Sequence, residues 1–409
     1  MSTTCQKFED ERGTLIFPVK NGKYSDNKEC NLKECTLSIN HKNVFRGLHI
    51  NSFAKIITCI NGSFIDIILD PKEQIPNVKY IFIKQGQQVY CPPGYAHGFI
   101  SLEDNSILSY YIEEEFENEV GGLLNYKDPI LNILNNIPVK EHELILNEKD
   151  LTAPYLQYDY FIIGAKGFIG SNIYNELINS NKKVYVLDYR LNQTESIENE
   201  IKLRNPKYFI CAAGLTGTPN TKWCDTHKKE TLMTNVIEQI NILNLCNKYS
   251  IHCTLIGSGC IFDDSKKEYS NNDIGNDFTN YYSKSRIILE KLVKEFDNYL
   301  FLRINYPYST KISNINNSKN LINKLINYEK IEMCNLSATN LDILLPELIK
   351  YLDNNITGIV NFVNEDQINT VTLITDYYKD NNMPFNKEII KSYRYNPKLI
   401  SCLNLNQTQ

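Results

Sequence analysis

Two histidines stand in motifs that acid–base chemistry can use. His49 closes Arg46-Gly-Leu-His49, and His97 sits in Pro92-Pro-Gly-Tyr-Ala-His97-Gly-Phe99, with Lys55, Tyr110 and Tyr126-Lys-Asp128-Pro129 around them in the chain. Histidine changes charge near neutral pH, so an oriented imidazole can take a proton from carbon when that proton lies next to a ketone. Removal there gives an enolate whose charge spreads onto the carbonyl oxygen, which a nearby cation stabilises. A metal site of the HxH type is absent, so two histidines alone predict no metal. His97 by itself reads equally as a structural histidine or as a group that shapes a substrate pocket.

A second set of residues points to a dinucleotide. Gly164-Ala-Lys-Gly167-Phe-Ile-Gly170 lies between a strand-like run (Asp159 to Ile163) and a helical pattern (Gly170 to Ser180). Glycines there let the backbone approach a pyrophosphate whose charge rests on the helix N-terminus. The spacing is GxxGxxG. Asp188 follows at the distance of a ribose-binding acid, which favours NADH, whereas Arg190 beside it suits the 2′-phosphate of NADPH. Further along come Ile210 to Asn220 (ICAAGLTGTPN), Thr234-Asn235-Val236, Ser258-Gly-Cys-Ile-Phe262 and Tyr282-Ser-Lys-Ser-Arg286.

The elements that must carry these residues fall into two textures. From Thr14 to about Tyr111, short alternating runs are broken by turn signals, as in Ala54 to Ile60, Ser63 to Asp70, Lys79 to Lys84, Gln88 to Cys91 and Gly98 to Leu102. Asn61-Gly62 between the first two suits a type I′ hairpin turn. Many short strands predict an antiparallel barrel or jelly roll. After about Tyr158, strand-like runs (Lys183 to Leu187, Tyr208 to Ala212) alternate with helical stretches, which predicts a parallel, doubly wound sheet. Asn136 to Gln157, polar and carrying two prolines, reads as a domain connection. The expectation is a two-domain chain: residues 1–154 a β jelly roll, residues 158–409 an α/β domain.

Composition narrows the classes. The chain has 409 residues, 42% of them hydrophobic, which allows more than one core. A formal net charge of -5 gives no electrostatic reason for a nucleic-acid partner. The start, MSTTCQKFEDERG, lacks the features of a signal peptide, and no apolar run is long enough to span a bilayer. Twelve cysteines are scattered without CxxC pairs, so they read as reduced, mostly buried thiols of a cytoplasmic protein.

The first motif set, together with Leu146-Asn-Glu-Lys-Asp150 and Ala153-Pro154, resembles dTDP-4-dehydrorhamnose 3,5-epimerase, a cupin-type jelly roll, over about residues 8 to 154. That resemblance implies His49 as base, Asp128 as the carboxylate orienting it, and Tyr110 as the acid on the opposite face. Lys55 would stabilise the enolate oxygen, Arg12 and Arg46 would hold the sugar diphosphate, and His97 would contact substrate. YIEEEF (Tyr111 to Phe116) ends in phenylalanine where relatives often have tyrosine.

The second set resembles the extended short-chain dehydrogenase/reductases over about residues 158 to 365, above all the plant nucleotide-rhamnose epimerase-reductases and, more distantly, dTDP-4-dehydrorhamnose reductase. Trp223-Cys-Asp225, Phe301-Leu-Arg303, Asn327-Tyr-Glu-Lys330 and Leu344-Leu-Pro346 add to it. It implies a Rossmann domain that delivers hydride to a C4 ketone. Tyr282 would donate the proton and Ser258 would bond the carbonyl oxygen. Gly164, Gly167, Phe168, Ile169, Asp188, Arg190, Ala212, Ala213, Asn235, Tyr282 and Arg286 would hold NADPH (or NADH), and Thr216 and Asn220 the sugar. The family carries Tyr-x-x-x-Lys; here Arg286 takes the lysine's place, with Lys284 two residues after Tyr282 and expected in solvent.

Taken together the resemblances imply a bifunctional epimerase and 4-reductase of a nucleotide 4-keto-6-deoxyhexose, with UDP-L-rhamnose or a 2-acetamido counterpart as product. A 4,6-dehydratase would supply the keto sugar, and homodimerisation is expected by analogy. Two other readings stand beside it: a reductase whose β domain only binds or dimerises, and a non-enzymatic NADP-binding regulatory protein.

Overall fold

Alternation of apolar and polar residues builds two antiparallel sheets in the first of two compact units, Met1–Gln157 and Tyr158–Gln409. The computed structural model describes residues 3–10, 13–18, 33–112, 121–217, 220–391 and 396–401. Arg12 and Phe116 lie outside the described residues. One sheet runs in the order Thr3–Thr4, Gln87–Cys91, Lys55–Asn61, Ser106–Ile112, Glu34–Asn40; the other runs Phe45–Ile50, Ala96–Ser101, Ser63–Leu69, Lys79–Lys84. Their inner faces share a core that includes Ile57, Leu108, Phe64, Ile68, Ile83 and Phe99, with Phe64 and Phe99 edge to face at 5.5 Å. Inward residues of both sheets thus interdigitate as a jelly roll requires.

Two expectations need correction here. Asn61-Gly62 is not a hairpin turn. Lys55–Asn61 pairs with Gln87–Cys91 and Ser106–Ile112, whereas Ser63–Leu69 pairs with Ala96–Ser101 and Lys79–Lys84. The pair is a corner at which the chain crosses between sheets. Gly62 has φ +78°, and a Cβ there would run into Ser106, so the corner demands glycine. Nor is Asn136 to Gln157 a loose connection. Ile145 O accepts from Phe45 N at 3.0 Å, and Asn147 caps the short helix Glu148–Thr152 by accepting from Asp150 N at 2.8 Å. The cap buries Asp150 against the Phe45–Ile50 strand.

The second unit is a six-stranded parallel sheet in the order Val184–Leu187, Tyr160–Ile163, Tyr208–Cys211, His252–Ser258, Tyr299–Ile304, Gly358–Phe362. The strands are nearly continuous apolar runs because helices cover both faces. Phe168–Asn179 and Leu341–Asp353 pack their apolar stripes on one of them. The second strand in the chain, Val184–Leu187, lies on one side of Tyr160–Ile163 and the third, Tyr208–Cys211, on the other. The loops leaving Ile163 and Cys211 therefore flank the crevice where strand order reverses, the place ligands occupy in such sheets.

One buried ion pair ties the helix Tyr281–Val293 to this sheet. Arg303 Nε and Nη2 donate to the two carboxylate oxygens of Glu290 at 2.9 and 2.6 Å. Nη1 donates to Asn361 Oδ1 and Ser270 O, and Nη2 also to Asp273 O. Glu290→Ala leaves that guanidinium buried and uncompensated, so it is expected to lower the stability of this unit by about 3–5 kcal/mol. The check is urea unfolding of the full chain followed by the fluorescence of its single tryptophan, Trp223. Adding Arg303→Met to Glu290→Ala should recover much of the loss.

Candidate active sites

In the first unit, cross-strand pairing sets the histidines side by side: His97 of Ala96–Ser101 is the register partner of His49 of Phe45–Ile50. Each has its own carboxylate. His97 Nε2 lies 2.7 Å from Asp66 Oδ1, with both groups buried. His49, with its side chain 38% exposed, has Nε2 4.0 Å from Asp150 Oδ1, and Asp150 is 1% exposed. The ring of Tyr110 stands edge-on to His97, with centroids 6.2 Å apart. Burial first, then the charge of Asp66, pushes the Tyr110 phenol well above its ordinary range, against an opposing pull from Arg46. Tyr110 therefore stays protonated and able to donate. Burial likewise raises Asp150; the backbone N–H groups of Asn147 and Gly47 and the charge of Arg46 hold it down in part.

Asp128 makes backbone contacts of its own. It is buried, but Oδ1 accepts from Ile130 N at 3.0 Å and Oδ2 from Leu156 N at 2.8 Å. It staples a turn to the chain leaving the unit, and Asp150 is a carboxylate that stands near His49. The signal for Asp150 was present in Asn147-x-x-Asp150, a capping pattern that fixes an acid at one place on a short helix. Asp66 was missed as well; an acid inside the apolar run SFIDIILD is its mark. Lys55 is buried, with its ammonium 5.7 Å from the Phe53 ring centroid. Arg46 is exposed and donates from Nε to Asn40 Oδ1 at 3.1 Å.

In the second unit the glycine loop is built for close approach. Gly164 has φ +85°, and a Cβ on it would lie 2.5 Å from Ala213 N. Gly167 is the N-cap of Phe168–Asn179, whose first N–H groups face the loop. Phe168 is buried, while Ile169, Ala212 and Ala213 are half-buried along this wall. A pyrophosphate thus fits without a side chain in its way. Asp188 and Arg190 are exposed at the end of Val184–Leu187, and Lys166 of the loop already pairs with Asp188 at 2.7 Å. Lys166 is a second cation beside Arg190 that motif reading passed over.

The opposite wall is the segment Ala212–Gly217. Asn235 braces it with its whole side-chain amide: Oδ1 accepts from Leu215 N and Nδ2 donates to Leu215 O, both at 2.8 Å. Thr216 Oγ1 accepts from Lys319 Nζ at 2.8 Å. Asn220 is exposed, and its Oδ1 accepts from Lys222 N in a local turn. Ser258 ends the His252–Ser258 strand and accepts from Cys260 N at 3.1 Å. Ser283 Oγ donates to Cys260 O at 2.6 Å, which ties the first turn of Tyr281–Val293 to that strand end. Tyr282 and Arg286, four apart on this helix, are buried on one face, and Lys284 points out as expected.

A lysine not foreseen joins this end of the sheet. Lys324 is open to solvent, yet the protein packed around its ammonium and the charge of Lys319 push it below its ordinary value, with Cys260 opposing. Among the described residues no group of three or more His, Cys, Asp or Glu is placed to hold a metal, and no helix is long and apolar enough to cross a membrane.

Comparison with known proteins follows the same division. Residues 1–158 match the dTDP-4-dehydrorhamnose 3,5-epimerase family, and residues 160–328 match the NAD-dependent epimerase/dehydratase family. The chain is 32% identical over 231 residues to a bifunctional dTDP-4-dehydrorhamnose 3,5-epimerase/dTDP-4-dehydrorhamnose reductase of Arabidopsis thaliana, covering 54% of this chain and 75% of that protein. It is 30% identical over 256 residues to a trifunctional UDP-glucose 4,6-dehydratase/UDP-4-keto-6-deoxy-D-glucose 3,5-epimerase/UDP-4-keto-L-rhamnose-reductase of the same plant; the match covers 60% of this chain and 38% of that protein. Among solved structures, a UDP-rhamnose synthase of Acanthamoeba polyphaga mimivirus aligns with a TM-score of 0.51 at 28% identity, over 57% of this chain and 85% of that one.

The two carboxylates give a direct test. Asp150→Asn is expected to slow solvent deuterium exchange into a 4-keto sugar by on the order of 10²-fold, measured by NMR. Asp128→Asn should leave exchange per folded molecule unchanged and lower the unfolding midpoint instead. The reverse pattern would return Asp128 to the role of orienting carboxylate.

Proposed function

Because the chain belongs to the family of bifunctional dTDP-4-dehydrorhamnose 3,5-epimerase/dTDP-4-dehydrorhamnose reductases, we propose that it converts a UDP-linked 4-keto-6-deoxyhexose into an activated 6-deoxy-L-sugar, UDP-L-rhamnose first among them. It is a nucleotide-sugar epimerase and 4-reductase of rhamnose-type biosynthesis. The UDP nucleotide, the product and the residues in named roles are the parts proposed. The observation that carries the reading is the pairing of half-open His49 with buried Asp150, in a chain that also holds a glycine-walled dinucleotide crevice.

His49 removes the proton beside the C4 ketone while Asp150 orients its ring and stabilises the imidazolium. Lys55 and His97 face the oxygen on which negative charge develops. Tyr110, protonated because it is buried, returns a proton from the other side. Arg46 holds the diphosphate, and the same role stays proposed for Arg12. In the second unit NADPH, when bound, supplies hydride to C4. Gly164, Gly167 and the start of Phe168–Asn179 hold its pyrophosphate. Phe168, Ile169, Ala212, Ala213 and Asn235 form or brace the cleft walls. Lys166 neutralises Asp188 and stands with Arg190 as a cation for the 2′-phosphate, which supports NADPH over NADH. Tyr282 gives its phenolic proton to the new alkoxide, Ser258 donates to the same oxygen, and Thr216 and Asn220 line the sugar side.

A second reading has its own observation. Lys324, its ammonium pushed below its ordinary value by burial and Lys319, stands near Cys260 as a base beside an acid at the reductase end of the sheet, so epimerisation at one carbon can take place in the second unit. A preceding 4,6-dehydratase reaction makes the keto sugar. A homodimer is also proposed, supported by Leu37 and Ile39, 62% and 67% exposed on the edge strand Glu34–Asn40. The free thiols fit a cytoplasmic setting.

The test is incubation with UDP-4-keto-6-deoxyglucose and NADPH in deuterated water, with absorbance and NMR followed together. Loss of NADPH absorbance with deuterium at C3, C5 or both is expected. In His49→Ala, exchange at both carbons should disappear; exchange that persists at one carbon and is lost in Lys324→Met supports the second reading. Absence of both exchange and NADPH oxidation with UDP, dTDP and 2-acetamido substrates alike would refute the enzymatic reading.

A further inference from the structure

Two neighbouring strand ends of the parallel sheet set an amide against a thiol. Ser258 and Ile304 are register partners, and Gly259 N donates to Ile304 O at 3.0 Å. Cys260 and Asn305 follow directly and lie side by side. A Cβ on Gly259 would come within 2.8 Å of Asn305 Cβ, so glycine at that place admits the amide. Asn305 is buried, and its other polar atoms are committed. Its N donates to Thr339 Oγ1 at 3.0 Å, its O accepts from Thr339 N at 2.7 Å, and Nδ2 donates to Ser337 O at 2.8 Å. Because Ser337 O can only accept, the amide has one way round, which turns Oδ1 to Cys260 Sγ at 3.1 Å. An amide oxygen only accepts as well, so the thiol makes that contact with its hydrogen in place.

The place of that hydrogen matters because Lys324 is near. The protein packed around its ammonium and the charge of Lys319 push Lys324 below its ordinary value, with Cys260 opposing. Lys319 is itself pinned, donating from Nζ to Thr216 Oγ1 at 2.8 Å and Gly217 O at 3.1 Å. A thiol and an amine can share one proton in two ways of equal net charge. Thiol with neutral amine makes Cys260 the acid and Lys324 the base; thiolate with ammonium exchanges the roles.

We propose that Asn305 is a positioning residue that keeps the proton on Cys260, so that Lys324 takes a proton from a keto sugar and Cys260 returns one. This rests on the reading that one carbon is epimerised in the second unit. The C–H bond beside the ketone breaks, its proton goes to the Lys324 amine, and its electron pair passes to the carbonyl oxygen as an enolate. The S–H bond of Cys260 then breaks as its proton joins the enolate carbon; delivery from the opposite face inverts that carbon. Lys324 ends as ammonium and Cys260 as thiolate, and proton exchange with water restores both. Before the step both neighbours favour the same arrangement: the bond to Asn305 needs the S–H, and Lys319 repels a charge on Lys324.

The experiment takes the full chain without substrate and follows alkylation of the Cys260 peptide by iodoacetamide across neutral pH, with mass spectrometry as the readout. Asn305→Leu removes the acceptor and is expected to speed alkylation at neutral pH by about tenfold, because the thiolate is the form that reacts. Asn305→Asp also loses the bond to Ser337 but keeps an oxygen on the thiol, and should alkylate no faster than wild type. Equal acceleration in both variants, or none in Asn305→Leu, overturns the proposal and leaves Asn305 a structural link between strands. Lys324→Met probes the same point with Asn305 in place. It should alkylate as fast as wild type, since a neutral amine does not hold a thiolate; marked slowing reveals a thiolate–ammonium pair and overturns the proposal as well. The reading beneath it is tested apart from the thiol. Loss of all exchange at C3 and C5 in His49→Ala, in deuterated water, refutes epimerisation in the second unit whatever the alkylation rates are.

Discussion

The carboxylate of Glu290 decides what the second unit can do with its most important helix. Tyr281–Val293 carries Tyr282 and Arg286 near its start and Glu290 one turn further on. Glu290 is gripped from the sheet by Arg303, which is itself wholly buried and bonded to Asn361 and two backbone carbonyls. With that end fixed, the first turn is held by Asn280, whose side chain accepts from Ser283 N, and by Ser283 on Cys260 O. Two buried arginines thus meet opposite conditions within one unit. Arg303 has all its donors matched and sets geometry; Arg286 has almost none matched, and its Nη2 lies beside Gly214. Similar burial with opposite satisfaction separates a structural charge from one available to a ligand.

The first unit sorts its acids by the same criterion. Asp66, Asp128 and Asp150 are all buried; Asp66 stands against His97 and Asp150 against His49. Asp128 accepts from two backbone N–H groups and holds the chain where it leaves the jelly roll. Asp66 gives one oxygen to His97 and leaves the other without a partner. Asp150 is brought to His49 by a helix of five residues, whose cap at Asn147 sets the angle at which the carboxylate enters. Cross-strand register sets His49 and His97 side by side, each with a carboxylate beside it. Sites on paired strands keep their spacing better than sites on loops.

Much of this was legible beforehand because periodicity survives in the sequence wherever one face is buried. The strand Tyr160–Ile163, the helix after Gly167 and the parallel order that follows were readable from apolar spacing and from glycines whose places admit no Cβ. The antiparallel half was readable as strands but not as sheets. Asn61-Gly62 has the residues of a tight hairpin, and only the partners on either side reveal that it turns a corner between layers. Asn136 to Gln157 looked like a connection because its composition is polar; composition says nothing of a cap that buries one acid. Asp128 was named through its motif's likeness to a family, whereas the nearness of Asp150 to His49 depends on where a short helix places its oxygens. Lys324 was illegible for a related reason, since the protein packed around its ammonium and the nearness of Lys319 are properties of the fold and not of LINKLIN.

Carrying both chemistries on one chain has a thermodynamic consequence that does not depend on how the two units are arranged. Proton exchange next to a ketone is reversible, so epimerisation alone leaves a mixture set by the relative stabilities of the keto sugars. Reduction at C4 removes the ketone and with it the acidity of the neighbouring protons, which ends exchange for any molecule it captures. The stereochemical outcome is therefore fixed by which epimer the second crevice accepts and by how fast it does so relative to exchange. Each unit then needs only moderate selectivity, because the reductase draws the equilibrium through the one form it reduces.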